Sequence, residues 1–177
     1  MPNRNARRLP SHPTKGVMEA AVTESVSTEA EDDRRVEWHQ LWVAVRRWQW
    51  SSLAVVPASP TDWAVYVARS LTRVGSIHLG TAVQLLDATQ MPKSAISSFT
   101  NYLEDARAVS RSVIVACSNP SRNEASIPVI LSADAVILAI VRDESTFKGT
   151  EQLIKLFGPR IIGSVVLPKS MSRPRTV

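Results

Sequence analysis

A single cysteine, Cys117, stands in 177 residues, so no internal disulfide framework can form and a reducing compartment suits the chain. No apolar run approaches the roughly 20 residues that a membrane-spanning helix requires. The N-terminus, MPNRNARRLPSHPTKG, has basic residues with no apolar core behind them and does not read as a secretory signal. Together these absences point to the cytoplasm. The three histidines, His12, His39 and His78, lie far apart along the chain, and Cys117 has no Cys or His at ligand spacing, so no metal site is expected. There is no G-x-G-x-x-G fingerprint, which argues against a dinucleotide cofactor. Ser59 and Ser118 end apolar runs without a Gly-x-Ser-x-Gly elbow and read as turn residues. Cys117 also follows an apolar run, where a nucleophile could stand, but it reads better as a small buried residue. No internal repeat is visible.

What is present is ordinary in bulk: 44% hydrophobic and 21% charged residues, enough for one globular domain with flanking segments. The net charge of +5 is uneven. Residues 1–50 carry eight Lys/Arg against seven Asp/Glu, residues 51–110 four of each, and residues 111–177 nine against five. Much of the surplus sits in the tail 169–177, as Lys169, Arg173 and Arg175. Such a tail can be simply solvated, or can meet nucleic acid or an anionic membrane face.

Residues 1–31 read as disordered, being rich in Pro, Ser, Thr, Asn and Glu with few large apolar groups. Residues 32–50 read as an amphipathic, Trp-rich helix whose N-terminal end suits Asp32 and Asp33. Trp38, Leu41, Trp42, Val45 and Trp48 recur at helical spacing and define one stripe, with Arg46 and Arg47 outside it. That stripe packs on its own domain or docks a partner, since aromatic residues and Arg are enriched in interfaces. Nucleic-acid stacking by these tryptophans is disfavoured, because the periodicity turns most of them to one face.

From 51 to 168 the pattern alternates. Strands are predicted at Leu53–Val56, Ala82–Leu86 with Asp87 at its end, Ser112–Ala116, Ala135–Val141 and Ile161–Leu167. Helices are predicted at Asp62–Arg73, Ala95–Ala108, Ala125–Ser132 and Ser145–Phe157, the last stopped by Gly158–Pro159. Short, non-alternating apolar strands separated by helices predict an α/β fold, a three-layer parallel sheet flanked by helices.

The stretch Leu53–Leu71, LAVVPASPTDWAVYVARSL, is ordered like a phosphate-binding loop: apolar strand, turn, helix. A working loop needs glycines whose N–H groups close around phosphate oxygens, a Lys for the β/γ-phosphates and a Ser/Thr for magnesium. None stands in its place.

The order of elements resembles the MinD/ParA-type P-loop ATPases, and most of all the cytoplasmic domain of bacterial tyrosine autokinases of capsular and exopolysaccharide systems. The motifs are Ala133–Asp134–Ala135–Val136 before an apolar strand, the final GPRIIGSVVL, and an N-terminal helix with Glu37 where the family has its oligomer-contact Glu. The resemblance covers residues 37–167 and implies a P-loop NTPase-like fold with a degenerate nucleotide site. Carried over residue by residue, the two loop glycines fall on Thr61 and Trp63, the Lys on Ala64 and the magnesium-binding Ser/Thr on Val65. Asp87 matches the family's Asp after the second strand. The acidic residue of the third strand falls on Ala116, and the adenine-reading Asn on Pro168. The tyrosine-rich tail is absent and the interval 88–111 is short. Phosphoryl transfer depends on positioning and charge neutralisation, so these losses imply no ATP chemistry and no cofactor. The implied function is a non-catalytic scaffold or regulator of polysaccharide synthesis or export. It would dock through Glu37, Trp38, Trp42, Arg46 and Arg47 on a membrane-bound chain-length regulator or a kinase paralogue, with homo-oligomerisation and peripheral contact at the inner membrane compatible with this. The alternative is a positioning or partition protein that meets DNA or lipid through basic patches.

Overall fold

A computed structural model describes residues 35–60, 63–110 and 112–168. The predicted N-terminal disorder, Asp32 and Asp33, Thr61, Asp62 and the basic tail lie outside the described residues.

The sheet has five parallel strands: β1 Ser52–Pro57, β2 Gln84–Ala88, β3 Val113–Cys117, β4 Ala135–Val141 and β5 Ile161–Leu167. Their spatial order is β2-β3-β1-β4-β5, so β1 is central and β2 and β5 are edges. Among the described residues five α-helices flank it: α1 Val36–Arg46, α2 Trp63–Leu79, α3 Ile96–Val109, α4 Ser126–Ser132 and α5 Phe147–Phe157. The chain is therefore α/β with an all-parallel sheet flanked by helices.

Successive strand residues face opposite sides, and this divides the core in two. Leu53 and Val55 of β1, Ile114 of β3 and Ile137 of β4 pack against Trp38 and Trp42 of α1 and Val67 and Leu71 of α2. Ala54, Val56, Val115 and Leu138 pack on the other face against Phe99 and Leu103 of α3, Ile130 of α4 and Phe157 of α5. Each buried Val, Leu, Ile or Phe among them contributes about 1.5–3 kcal/mol by leaving water, which is why the central strands carry apolar runs. The crossover β1→β2 travels one way along the sheet and the three later crossovers travel the other way. With a single hand of crossover, α2 must lie on one face and α3, α4 and α5 on the opposite face, as observed.

Several boundaries differ from the sequence reading. β2 begins at Gln84, because Gln84 registers with Val113, the first residue of β3. Asp87 thus lies within β2, opposite Ala116, and Cys117 lies within β3 rather than after it. Helix α2 runs to Leu79, past Arg73 and through Gly75, which is a contact point and not a stop. Helix α5 begins at Phe147, with the Thr146 hydroxyl accepting from Gly149 N at 3.1 Å as its cap.

Helix α1 is shorter than the predicted 32–50 and ends at Arg46. Gln49 then takes a left-handed φ of 49° and the chain reverses into β1. Trp48 is consequently not on the stripe; it is 63% exposed, and Trp50 enters the core in its place. Trp50 Nε1 donates to Val45 O at 2.9 Å, its ring meets Trp42 edge-on at 5.8 Å, and Arg46 lies over its ring and donates to its carbonyl at 2.8 Å.

Next to this turn, at the N-terminal end of the central strands, Asp134 organises a polar clasp. Its Oδ2 accepts from Ser51 N at 3.0 Å, Ser52 N at 2.8 Å and Ser52 Oγ at 3.1 Å. Its Oδ1 pairs with Arg107 at 3.3 Å, and the same guanidinium donates to Ser52 Oγ and to Ser132 O. The Ala-Asp-Ala-Val signature therefore ties the start of β4 to the start of β1 and to the end of α3.

Candidate functional site

In open α/β sheets, ligands bind beyond the carboxyl ends of the strands, where loops leave toward opposite faces. Here that place lies between β1, whose loop leads to α2, and its neighbours β3 and β4, whose loops lead to the other face. The loops there are tied to one another. Ala58 N donates to Ala139 O at 2.8 Å, extending the pairing of β1 with β4 beyond Pro57. Asn119, buried after β3, donates through Nδ2 to Pro57 O at 2.8 Å. Its Oδ1 accepts from Ser121 N at 2.8 Å and Ser121 Oγ at 2.7 Å, which fixes the amide orientation. Gly149 in the first turn of α5 sits against the same loop: a Cβ there would lie 3.3 Å from Ala58 O. Farther out, Asn123 Nδ2 donates to Met91 O at 3.0 Å, and Lys93 pairs with Glu124 at 2.9 Å, holding the Glu124 carboxyl below its ordinary range.

Of the residues carried over for nucleotide binding, the fold brings Asp87 and Ala116 together as cross-strand partners and keeps Trp63, Ala64 and Val65 together at the start of α2. Trp63 opens α2 buried, its ring edge-on to Tyr66 at 5.5 Å, and Ala64 is fully buried beside it. Val65 is half-buried and packs against the same core. Asp87 is exposed, and its Oδ1 accepts from Thr89 N at 3.0 Å and Thr89 Oγ1 at 2.7 Å, so its carboxylate closes its own turn. Ala116 is fully buried, and Pro168 is exposed after β5. Thr61 lies outside the described residues. Cys117 is fully buried; loss of solvation, and then the charge of Asp87, push its thiol far above the ordinary range. A thiol held protonated in this way is a poor nucleophile. Ser59 and Ser118 are both buried at the loop bases.

The docking residues also separate. Trp38 and Trp42 are core residues of this domain, which corrects their reading as partner-facing: α1 spends its aromatic stripe on α2 and the sheet. Arg46 is half-buried on Trp50. Glu37 and Arg47 face solvent, beside the exposed Val36, Val43 and Trp48. Two open grooves flank this outer face of α1. One, of about 430 Å³, runs past Val43 and Arg47 to His39 and His78. The other, of about 490 Å³, lies between Trp48 and Ile162 at the β5 edge.

Two features were not read from the sequence. Asn119 had no signal beyond its place before Pro120. His39 and His78, expected to be far apart, meet across α1 and α2 with Nδ1 of the first 3.0 Å from Nε2 of the second. His12 lies outside the described residues. Among the described residues no three His, Cys, Asp or Glu side chains gather as metal ligands, and no helix is long and apolar enough to cross a membrane.

No protein-family model matches the chain, and a search of curated proteins gives no match.

Proposed function

We propose that this chain is a non-catalytic docking protein of P-loop ATPase lineage with a degenerate nucleotide site. It serves bacterial polysaccharide synthesis or export as a scaffold or regulator in the cytoplasm. The observation that carries the reading is the bond from Asn119 Nδ2 to Pro57 O. It joins the two loops between which a phosphate chain would have to enter, while Trp63 and Ala64 are packed in the core at the positions of a loop glycine and the phosphate lysine. At Ala64, where the phosphate lysine would stand, no cation is offered to a phosphate, and charge neutralisation is what phosphoryl transfer uses.

The surface left for function is the outer face of α1. Val36 and Val43 are exposed along one groove and Trp48 along the other, with Arg47 lining both and Glu37 exposed on the same helix. An aromatic anchor with a charged rim is the composition of a protein-binding patch. The partner is a protein of the polysaccharide assembly machinery, a chain-length regulator or a kinase paralogue.

Two measurements test this. Calorimetry with magnesium–ATP at millimolar concentration is expected to give no saturable heat; saturable binding overturns the degenerate-site reading. Pull-down from the native cell is expected to capture a polysaccharide-assembly protein, and Trp48→Ala with Arg47→Glu to abolish that capture without a change in Tm. Capture that persists in the double variant, or salt-sensitive retention of DNA or anionic vesicles in place of a protein, overturns the docking reading.

A further inference from the structure

We propose that His39 and His78 form a two-histidine site for a divalent late transition-metal ion, binding Cu²⁺ more tightly than Ni²⁺ or Zn²⁺, that clasps helix α1 to helix α2. The nitrogens facing each other are Nδ1 of His39 and Nε2 of His78, 3.0 Å apart, with ring centroids 5.1 Å apart and planes tilted by 58°. An imidazole nitrogen lies about 2.0–2.1 Å from such a metal. Two of them at a right angle are then separated by about 3.0 Å, and at the tetrahedral angle by about 3.4 Å. The observed separation is therefore already that of two adjacent ligands on one ion. To aim both lone pairs at one ion, each ring turns by about 35–45° from the line that joins the two nitrogens.

The scaffold holds that separation. Trp42 stands three residues after His39, and Gly75 three residues before His78. The Trp42 ring rests directly on Gly75, where a Cβ would be 2.5 Å from it. The close contact of the two helices thus lies one turn from each histidine, and ligands carried on packed helices are held more narrowly than ligands on loops. Solvent reaches the pair, since His39 is half-buried, His78 is exposed, and the groove of about 430 Å³ opens on both. Among the described residues no third His, Cys, Asp or Glu converges on them, and the site is assigned two protein ligands. Arg47, which lines the same groove, favours an anion such as chloride in a remaining position on the ion.

The chemistry of binding is simple. In the free protein one ring donates its N–H to the other. On binding, that hydrogen moves through water to the second nitrogen of its own ring, and both facing nitrogens become ligands. Imidazole donors with open positions follow the stability order in which Cu²⁺ stands highest. An ion that joins α1 to α2 stabilises the folded chain by mass action.

The test uses the full chain and the chloride salts of Cu²⁺, Ni²⁺ and Zn²⁺. Tm is expected to rise with metal concentration, most for Cu²⁺, and to return on adding EDTA. His39→Asn and His78→Asn are each expected to weaken binding at least tenfold while leaving metal-free Tm nearly unchanged, and His12→Ala to leave binding intact. The electron paramagnetic resonance spectrum of the Cu²⁺-loaded chain is expected to show two nitrogen ligands in the wild type and one in either variant. No rise in Tm up to millimolar metal, a rise retained in either Asn variant, or its loss in His12→Ala alone would overturn the site.

Discussion

The outer atoms of the Trp42 indole pack against Gly75, and a methyl group at position 75 would fall 2.5 Å from Cη2 of the indole and 2.6 Å from Cζ3. The indole is buried on all sides, so it has nowhere to move. This one contact sets how closely α1 approaches α2, and the position of α1 sets the rest: the exposed face with Glu37 and Arg47, and the meeting of the two histidines. Gly75→Ala is expected to destabilise the fold by about 1–3 kcal/mol, the usual cost of overpacking. Trp42→Leu alone leaves a void, while the double variant lets each change relieve the other. The two substitutions should therefore be non-additive by about 0.5–3 kcal/mol in urea unfolding. Additive effects would show that the ring and the glycine do not constrain each other.

Trp48 and Trp50 are two residues apart and should behave oppositely. Trp50 is buried, with its N–H bonded to Val45 O and Arg46 over its ring. Trp50→Ala is expected to cost about 3–5 kcal/mol. Trp48 is 63% exposed, and Trp48→Ala should change stability by no more than about 0.5 kcal/mol. Tryptophan fluorescence gives the same contrast: an acrylamide quencher should reach Trp48 in the native state and should not reach Trp50.

This pair also marks where the sequence stops being readable. Periodicity places Trp48 on the stripe only if the helix continues past Arg46, and no residue there announces the left-handed turn at Gln49. The strands at 135–141 and 161–167 are legible to the residue, because each is a short run rich in Val and Ile set between charged or turn residues. The second strand was shifted because Ala82 and Val83 are apolar, yet pairing with β3 starts only at Gln84. The order β2-β3-β1-β4-β5 has no local signature at all. The candidate site follows the same division. The residue types at 63–65 are plain in the sequence, whereas the bond from Asn119 to Pro57 and the pairing of His39 with His78 are long-range contacts, spanning 62 and 39 residues.

Asp134 is expected to be a stability residue and not a functional one. Its Oδ2 serves two backbone N–H groups and a hydroxyl, and its Oδ1 faces Arg107. Asp134→Ala leaves the fully buried Ser52 without its acceptor and the guanidinium without its counter-charge. Hydrogen bonds to charged groups are worth about 1.5–3 kcal/mol, so a loss of about 2 kcal/mol or more is expected in urea unfolding. Asp134→Asn keeps one acceptor oxygen and should cost less. A cycle with Arg107→Ala should show coupling between the two residues; its absence would mean that the ion pair at 3.3 Å adds nothing to the backbone bonds.

Cys117 gives a pH signature with a definite sign. Burial, and then the Asp87 charge, hold its folded pKa far above the ordinary 9.0. A folded pKa raised above the unfolded one means that the folded chain keeps a proton the unfolded chain releases. The contribution to stability is complete below pH 9.0 and declines as pH rises above it. The limiting slope is about 1.4 kcal/mol per pH unit, which integrates to about 1 kcal/mol between pH 9 and pH 10. Urea unfolding of the wild type should therefore show this extra alkaline loss relative to Cys117→Ala, whose side chain does not ionise. A thiol reagent should label native Cys117 only at the rate of unfolding, at pH 7 and at pH 9 alike. Rapid labelling of the native protein, or equal alkaline loss in the wild type and the alanine variant, would mean that the thiol at the end of β3 reaches solvent.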